Sequence, residues 1–158
     1  HVLGGGGLTS RLTEEVREKR GLSYSVYSYL SPFDKAGLFL GGAATQNERA
    51  GEALEIIEHE LKRMAVDGPT ADELDATKTY LTGSYALRFD TSTKIAGQLL
   101  GIQLENLGID YIEKRNSLIE AVTREDVRRV AQRLLKPGSL IVTVVGQPKG
   151  IEALAPAQ

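Results

Sequence analysis

Leu8-Thr9-Ser10-Arg11-Leu12-Thr13-Glu14-Glu15-Val16-Arg17-Glu18-Lys19-Arg20-Gly21-Leu22-Ser23-Tyr24-Ser25-Val26-Tyr27-Ser28-Tyr29-Leu30 changes its period at Gly21. Before it, Leu8, Leu12 and Val16 recur at i, i+4 and i+8, one apolar stripe on a short charged helix. After it, Leu22, Tyr24, Val26, Ser28 and Leu30 alternate with Ser23, Ser25, Tyr27 and Tyr29, which is the pattern of a strand. The glycine therefore separates a helix from a strand, and places Arg17 and Tyr24 on opposite sides of one turn. Four further glycines, Gly4 to Gly7, lead into the helix.

Working outward, Ser31-Pro32-Phe33-Asp34-Lys35 carries turn chemistry, and Ala36 to Thr45 reads as a second strand. The two strands form an antiparallel hairpin with a loop of several residues. Gly41, Gly42, Ala43 and Ala44 predict a close approach by a neighbouring group. Ala50, Ala53, Leu54, Ile57, Leu61, Met64 and Ala65 hold a helical period that Gly68-Pro69 stops, and Thr45-x-x-Glu48 is a candidate cap for its start. Thr70-Ala71-Asp72-Glu73 is a capping box for a helix to about Arg88. Further helices are expected over roughly 93–107 and 111–121, and over a segment capped by Thr123-Arg124-Glu125-Asp126 and broken by Lys136-Pro137-Gly138. Leu140 to Val145 is a continuous apolar run, expected as a strand buried on both faces.

These elements predict an α+β fold, a mainly antiparallel sheet with helices layered on one face. Three strands offer little surface for so many helices, and His1-Val2-Leu3 reads like the tail of a longer element. The expectation is thus a fragment lacking the first strands of its domain, with residues 1–147 as that domain and 148–158 as a frayed tail.

Composition excludes several chemistries. The chain has 158 residues and a formal charge of −2, which gives no electrostatic reason for nucleic acid or an anionic membrane as partner. It holds no cysteine, so disulfides, thiolate metal sites and cysteine nucleophiles are excluded. Gly4 to Gly7 lack the spacing and the following lysine of a phosphate-binding loop. A hydrolytic zinc site needs about three protein ligands, and the two histidines, His1 and His59, do not supply a readable set. His59 in Glu55-Ile56-Ile57-Glu58-His59-Glu60 reads as a solvated residue on the polar flank of a helix. No G-x-S-x-G elbow is present. Charged helix faces fit i,i+4 pairs such as Glu15 with Lys19. Taken as residues alone, Arg17 reads as a surface partner of Glu14, and Tyr24 as a half-buried strand aromatic.

The segment L-x-x-x-V-R-E-K-R-G-L-x-Y, inside residues 3–45, closely resembles the C-terminal domain of bacterial pitrilysin/insulinase-family zinc peptidases, the inverzincins. Ala121 to Val127 and Leu140 to Gly146 resemble that domain's closing helix and strand. The resemblance implies a non-catalytic half-site. A homologous H-x-x-E-H-bearing domain or subunit would hold the zinc, with no metal ligands and no catalytic residue complete in this chain. Arg17 and Tyr24 would bind an extended peptide substrate, holding its carbonyls and the developing oxyanion, and Gly4, Gly5, Gly6 and Gly7 resemble a substrate-handling glycine-rich loop. A structural core-type subunit, or a peptide-binding module without proteolytic activity, is the alternative the family also contains. Bacterial family members suggest a periplasmic or membrane-associated setting.

Overall fold

The computed structural model describes residues 1–5, 9–136 and 140–151. Two of the four opening glycines (Gly6 and Gly7), Leu8, and Pro137 and Gly138 of the expected helix break lie outside the described residues. The fold is α+β, with a two-stranded antiparallel sheet and five α-helices among the described residues. The chain divides into two compact units, one formed by His1–Pro69 with the residues from Arg128 onward, the other by Thr70–Val127.

In the first unit, the expected first helix ends where Gly21 requires it but is wound more widely than its spacing suggests. Residues Thr13–Glu18 form a π-turn, with the Lys19 N–H donating to the Glu14 carbonyl at 2.9 Å. Gly21 takes φ +58°, the left-handed conformation glycine adopts without a Cβ penalty, and ends the helix. The N–H groups of Gly21 and Leu22 then satisfy the carbonyls of Arg17 and Val16 at 2.9 and 2.8 Å. Leu12 and Val16, the described members of the stripe, are 3% and 0% exposed and form the centre of this unit's core with Leu3, Leu22, Ala53 and Met64.

Strands β1 (Ser23–Phe33) and β2 (Ala36–Thr45) pair from Phe33↔Ala36 back to Ser23↔Thr45. The connection is therefore a two-residue turn at Asp34-Lys35, tighter than the several-residue loop expected. Pro32 is tolerated inside the ladder because of its parity. The Ser28 N–H points away from β2 to the Gly4 carbonyl at 2.8 Å, and Pro32 shares that outward register, so its missing N–H removes no bond to β2. The expected close neighbour of the small-residue run is Tyr27, whose ring lies across Gly42.

Helix α1 spans Ala50–Asp67 and ends at Gly68, whose carbonyl accepts from Arg11 Nη2 at 2.7 Å. Thr45-x-x-Glu48 does not cap this helix. Thr45 remains in β2 and donates its hydroxyl to the Leu22 carbonyl at 2.6 Å, while residues Asn47–Arg49 form a 3₁₀ turn ahead of α1. The segment 140–145 also departs from expectation. It forms no strand among the described residues, and Ile141 and Val145 are more than nine-tenths exposed. Apolar, β-branched composition favours a strand only where a partner strand completes the hydrogen bonds. Within the expected tail, 148–158, the chain is held at Lys149. The Lys149 N–H donates to the Asn47 carbonyl at 2.8 Å, and the Lys149 carbonyl accepts from Gly51 at 3.1 Å.

The second unit holds α2 (Ala71–Gly83), a 3₁₀ segment Tyr85–Phe89, α3 (Ser92–Leu104) and α4 (Tyr111–Glu120). The boundary between units falls inside α5 (Arg124–Leu134). Its caps follow the sequence: Thr70 and Glu73 exchange side-chain-to-backbone bonds at 3.1 and 2.7 Å, and Thr123 and Asp126 do the same at 3.1 and 3.2 Å.

Candidate functional site

The site is built around the Gly21 turn. Arg17 lies on the π-turn and Tyr24 at the start of β1, and the turn between them brings the guanidinium carbon to 4.8 Å from the ring centroid of Tyr24. Such a stack contributes about 0.5–1 kcal/mol where it is open to water. Arg17 does not pair with Glu14. Glu14 is taken by Lys19 at 2.9 Å, and Glu15 by Lys19 and Arg20 at 2.7 and 2.6 Å. Hydrogen bonds from Lys19 first, then Arg20, hold the Glu15 carboxyl below the usual carboxylate range. Arg17 instead meets Glu18 at 3.3 Å and the tyrosine ring.

Tyr24 is 85% exposed rather than half-buried. The cause is a break in register: Ser25 pairs with Ala44 and Ser23 with Thr45, so Tyr24 is the extra residue of a β-bulge. Strict alternation put Tyr24 on the face of Val26 and Ser28, which are buried. The bulge removes it from that face and stands it in solvent beside Arg17.

A groove of about 450 Å³ runs along this edge, lined by Gly4, Gly5, Arg17, Tyr24, Tyr27 and Tyr29 among others. Gly4 belongs here for a packing reason. Its carbonyl caps the Ser28 N–H, and a Cβ would lie 2.7 Å from the Ser28 hydroxyl, so a side chain at this position displaces β1 or the loop. The structure thus brings Arg17, Tyr24, Gly4 and Gly5 to one place. Gly6 and Gly7 lie outside the described residues. Tyr27 and Tyr29, with ring centroids 6.1 Å apart, were not singled out by the sequence argument. Their signal was present as an i, i+2 aromatic pair on the face opposite Val26 and Ser28.

Chemically, the groove offers the planar donor fork of a guanidinium, a phenol hydroxyl and aromatic faces. These can hold carbonyl or carboxylate oxygens of an extended chain. A metal centre is a different matter: among the described residues no three His, Asp or Glu side chains are grouped to hold an ion. His59 is largely solvated, with Nδ1 3.1 Å from Glu60 Oε1.

Residues 1–81 match the family model described as the peptidase M16 inactive domain. An uncharacterized zinc protease of Streptomyces coelicolor is 39% identical over 134 residues, 83% of this chain and 28% of the relative. A protein of Helicobacter pylori named as a non-peptidase homolog is 38% identical over 88 residues, 55% of this chain and 20% of its own length. The crystal structure of a peptidase M16 inactive domain from Pseudomonas fluorescens superposes with a TM-score of 0.75 at 34% identity, covering 84% of this chain and 32% of that one. The chain spans about a third or less of the length of these relatives. Fold, motif and family model converge, and the chain belongs to the peptidase M16 inactive domain family.

Proposed function

We propose that this chain is the substrate-binding, non-catalytic half of a zinc endopeptidase, with Arg17 and Tyr24 presented to an active site whose zinc is held by another domain or subunit. The observation that carries the reading is the Arg17–Tyr24 stack, which stands exposed on a groove instead of being spent on packing. Membership of the inactive-domain family and the zinc-protease name of the Streptomyces relative support it. Among the described residues no three His, Asp or Glu side chains are grouped to hold a zinc ion, and the role proposed for this chain is binding and charge stabilisation. In this role the groove receives an extended peptide. The Tyr24 hydroxyl and the Arg17 guanidinium donate to substrate carbonyls and to the oxyanion that develops at the scissile carbon, where such donors act most strongly. The domain comprises residues 1–147, followed by a tail from 148 that is tied back to it where the Lys149 N–H donates to the Asn47 carbonyl. A homologous H-x-x-E-H-bearing domain or subunit completes the enzyme.

The test is cleavage of an internally quenched peptide by the full-length parent enzyme, with and without a chelator. Arg17→Ala or Tyr24→Phe is expected to lower turnover about a hundred- to a thousandfold, the range for loss of one transition-state donor. Full activity in both variants sinks the assignment. The Helicobacter relative named as a non-peptidase homolog favours a second reading, a structural or peptide-binding subunit without proteolysis. Peptide binding that depends on Arg17 and Tyr24, with no chelator-sensitive cleavage, would select it.

A further inference from the structure

We propose that Ser23 is a positioning residue of this site, acting through Tyr24. The proposal rests on the reading of Arg17 and Tyr24 given above. Ser23 is 4% exposed, and a small polar side chain so deeply buried needs a partner. Its hydroxyl lies 2.6 Å from the Ser25 carbonyl and 2.7 Å from the Ala44 carbonyl. The first contact spans the bulged residue, since Ser23 and Ser25 flank Tyr24. The second ties the bulge across to β2 at the point where the register shifts.

A bulge interrupts the regular exchange of ladder bonds and leaves local carbonyls to be satisfied otherwise. The Ser23 hydroxyl stands within reach of two carbonyls beside the bulge, and its single proton is donated to one of them or shared between them. On its other side, the Thr45 hydroxyl fixes the Leu22 carbonyl at 2.6 Å, so the chain entering the bulge is held as well. With these clamps in place, Tyr24 leaves the sheet toward Arg17, whose guanidinium carbon lies 4.8 Å from its ring centroid. Tyr24 also forms part of the wall of a second depression, of about 380 Å³, lined by Gly21, Thr45 and Arg49 among others. Its ring direction therefore shapes the surface on both sides. Without the Ser23 hydroxyl, the bulge can relax toward regular pairing, which turns Tyr24 away from the guanidinium. Displacing a catalytic donor by about 1 Å costs on the order of a hundredfold in rate.

The experiment combines kinetics with a direct view of the contact in the full-length enzyme. Ser23→Ala is expected to lower kcat on an internally quenched peptide by about 10- to 100-fold, with KM changed by less than about threefold. In a Tyr24→Ala background the same change is expected to cost less than about twofold, because the residue it positions is gone. Nuclear Overhauser contacts between the Tyr24 ring and the Arg17 side chain should be lost in Ser23→Ala. If that variant is unstable, Ser23→Cys, close in size but a weak donor, repeats the measurement. Equal losses in both backgrounds, or a retained ring contact, overturn the positioning role. Loss of the contact with normal turnover upholds the positioning role and counts instead against the functional reading of Arg17 and Tyr24.

Discussion

The unit formed by His1–Pro69 with the residues from Arg128 onward, and the unit Thr70–Val127, are held together in different ways. The first buries Val2, Leu3, Leu12, Val16, Leu22, Val26, Leu61 and Met64 around its sheet and helices. The second buries only Leu74 and Tyr85 among its large apolar residues, while Leu99, Leu100, Leu104, Leu118 and Ile109 stand half or more exposed. Its helices are linked by polar groups. Lys78 Nζ donates to the Glu120 carbonyl at 2.7 Å, and Arg115 donates to the Leu81 carbonyl at 3.0 Å with its guanidinium 4.0 Å above the Tyr85 ring. The same cation–aromatic contact thus occurs in both units with opposite settings. Around Arg115 it joins helices, whereas around Arg17 it lies open on a groove. A cation–π contact by itself says nothing about function; its exposure and neighbours do.

The contrast can be broken most sharply in the cores. Leu12→Ala should destabilise the first unit by about 2–5 kcal/mol, the range for a truncated buried leucine, whereas Leu104→Ala should stay within about 0.5 kcal/mol. Paired urea unfolding curves check this, and equal effects would erase the distinction. Next in size is Arg115→Ala, expected to cost about 1–2 kcal/mol through one carbonyl bond and the ring contact. Its signature would be faster amide exchange in α2 and α4 rather than in β1. Thr70→Ala removes one half of a capping box and should cost about 1 kcal/mol. Loss of helicity confined to α2 would show that this unit depends on local signals. The smallest effect concerns acid. Because Lys19 and Arg20 depress the folded-state pKa of Glu15, the unfolded chain binds the proton more readily as pH falls. The stability Glu15 contributes is therefore present above the ordinary carboxylate range and is lost as pH drops through the folded value. Glu15→Gln should flatten the acid limb of the unfolding profile by a few tenths of a kcal/mol, the scale of an exposed ion pair. An unchanged acid limb would remove the pair from the account.

Much of the second unit was legible in the sequence because its signals are local. Thr70 and Glu73, or Thr123 and Asp126, lie three residues apart, and their bonds need nothing beyond one helical turn. Gly21 was legible for the same reason, as a positive-φ stop two residues before a strand. The strand reading of Leu140–Val145 failed because a ladder needs a second chain segment, which composition does not specify. Thr45 failed as a helix cap because the Leu22 carbonyl, distant in sequence, competed for its hydroxyl.

For the candidate site, the order of residues determined that a helix stops at Gly21 and becomes a strand, and hence that Arg17 and Tyr24 flank one turn. Tertiary structure decided the rest. A single unpaired residue in the register between β1 and β2 inverts the side-chain alternation, and Tyr24 leaves the buried face for the groove. Whether a bulge forms depends on hydrogen bonds between strands, and the Ser23 hydroxyl lies within reach of the Ala44 carbonyl of β2 as well as the Ser25 carbonyl of its own strand. No period within β1 alone encodes that choice.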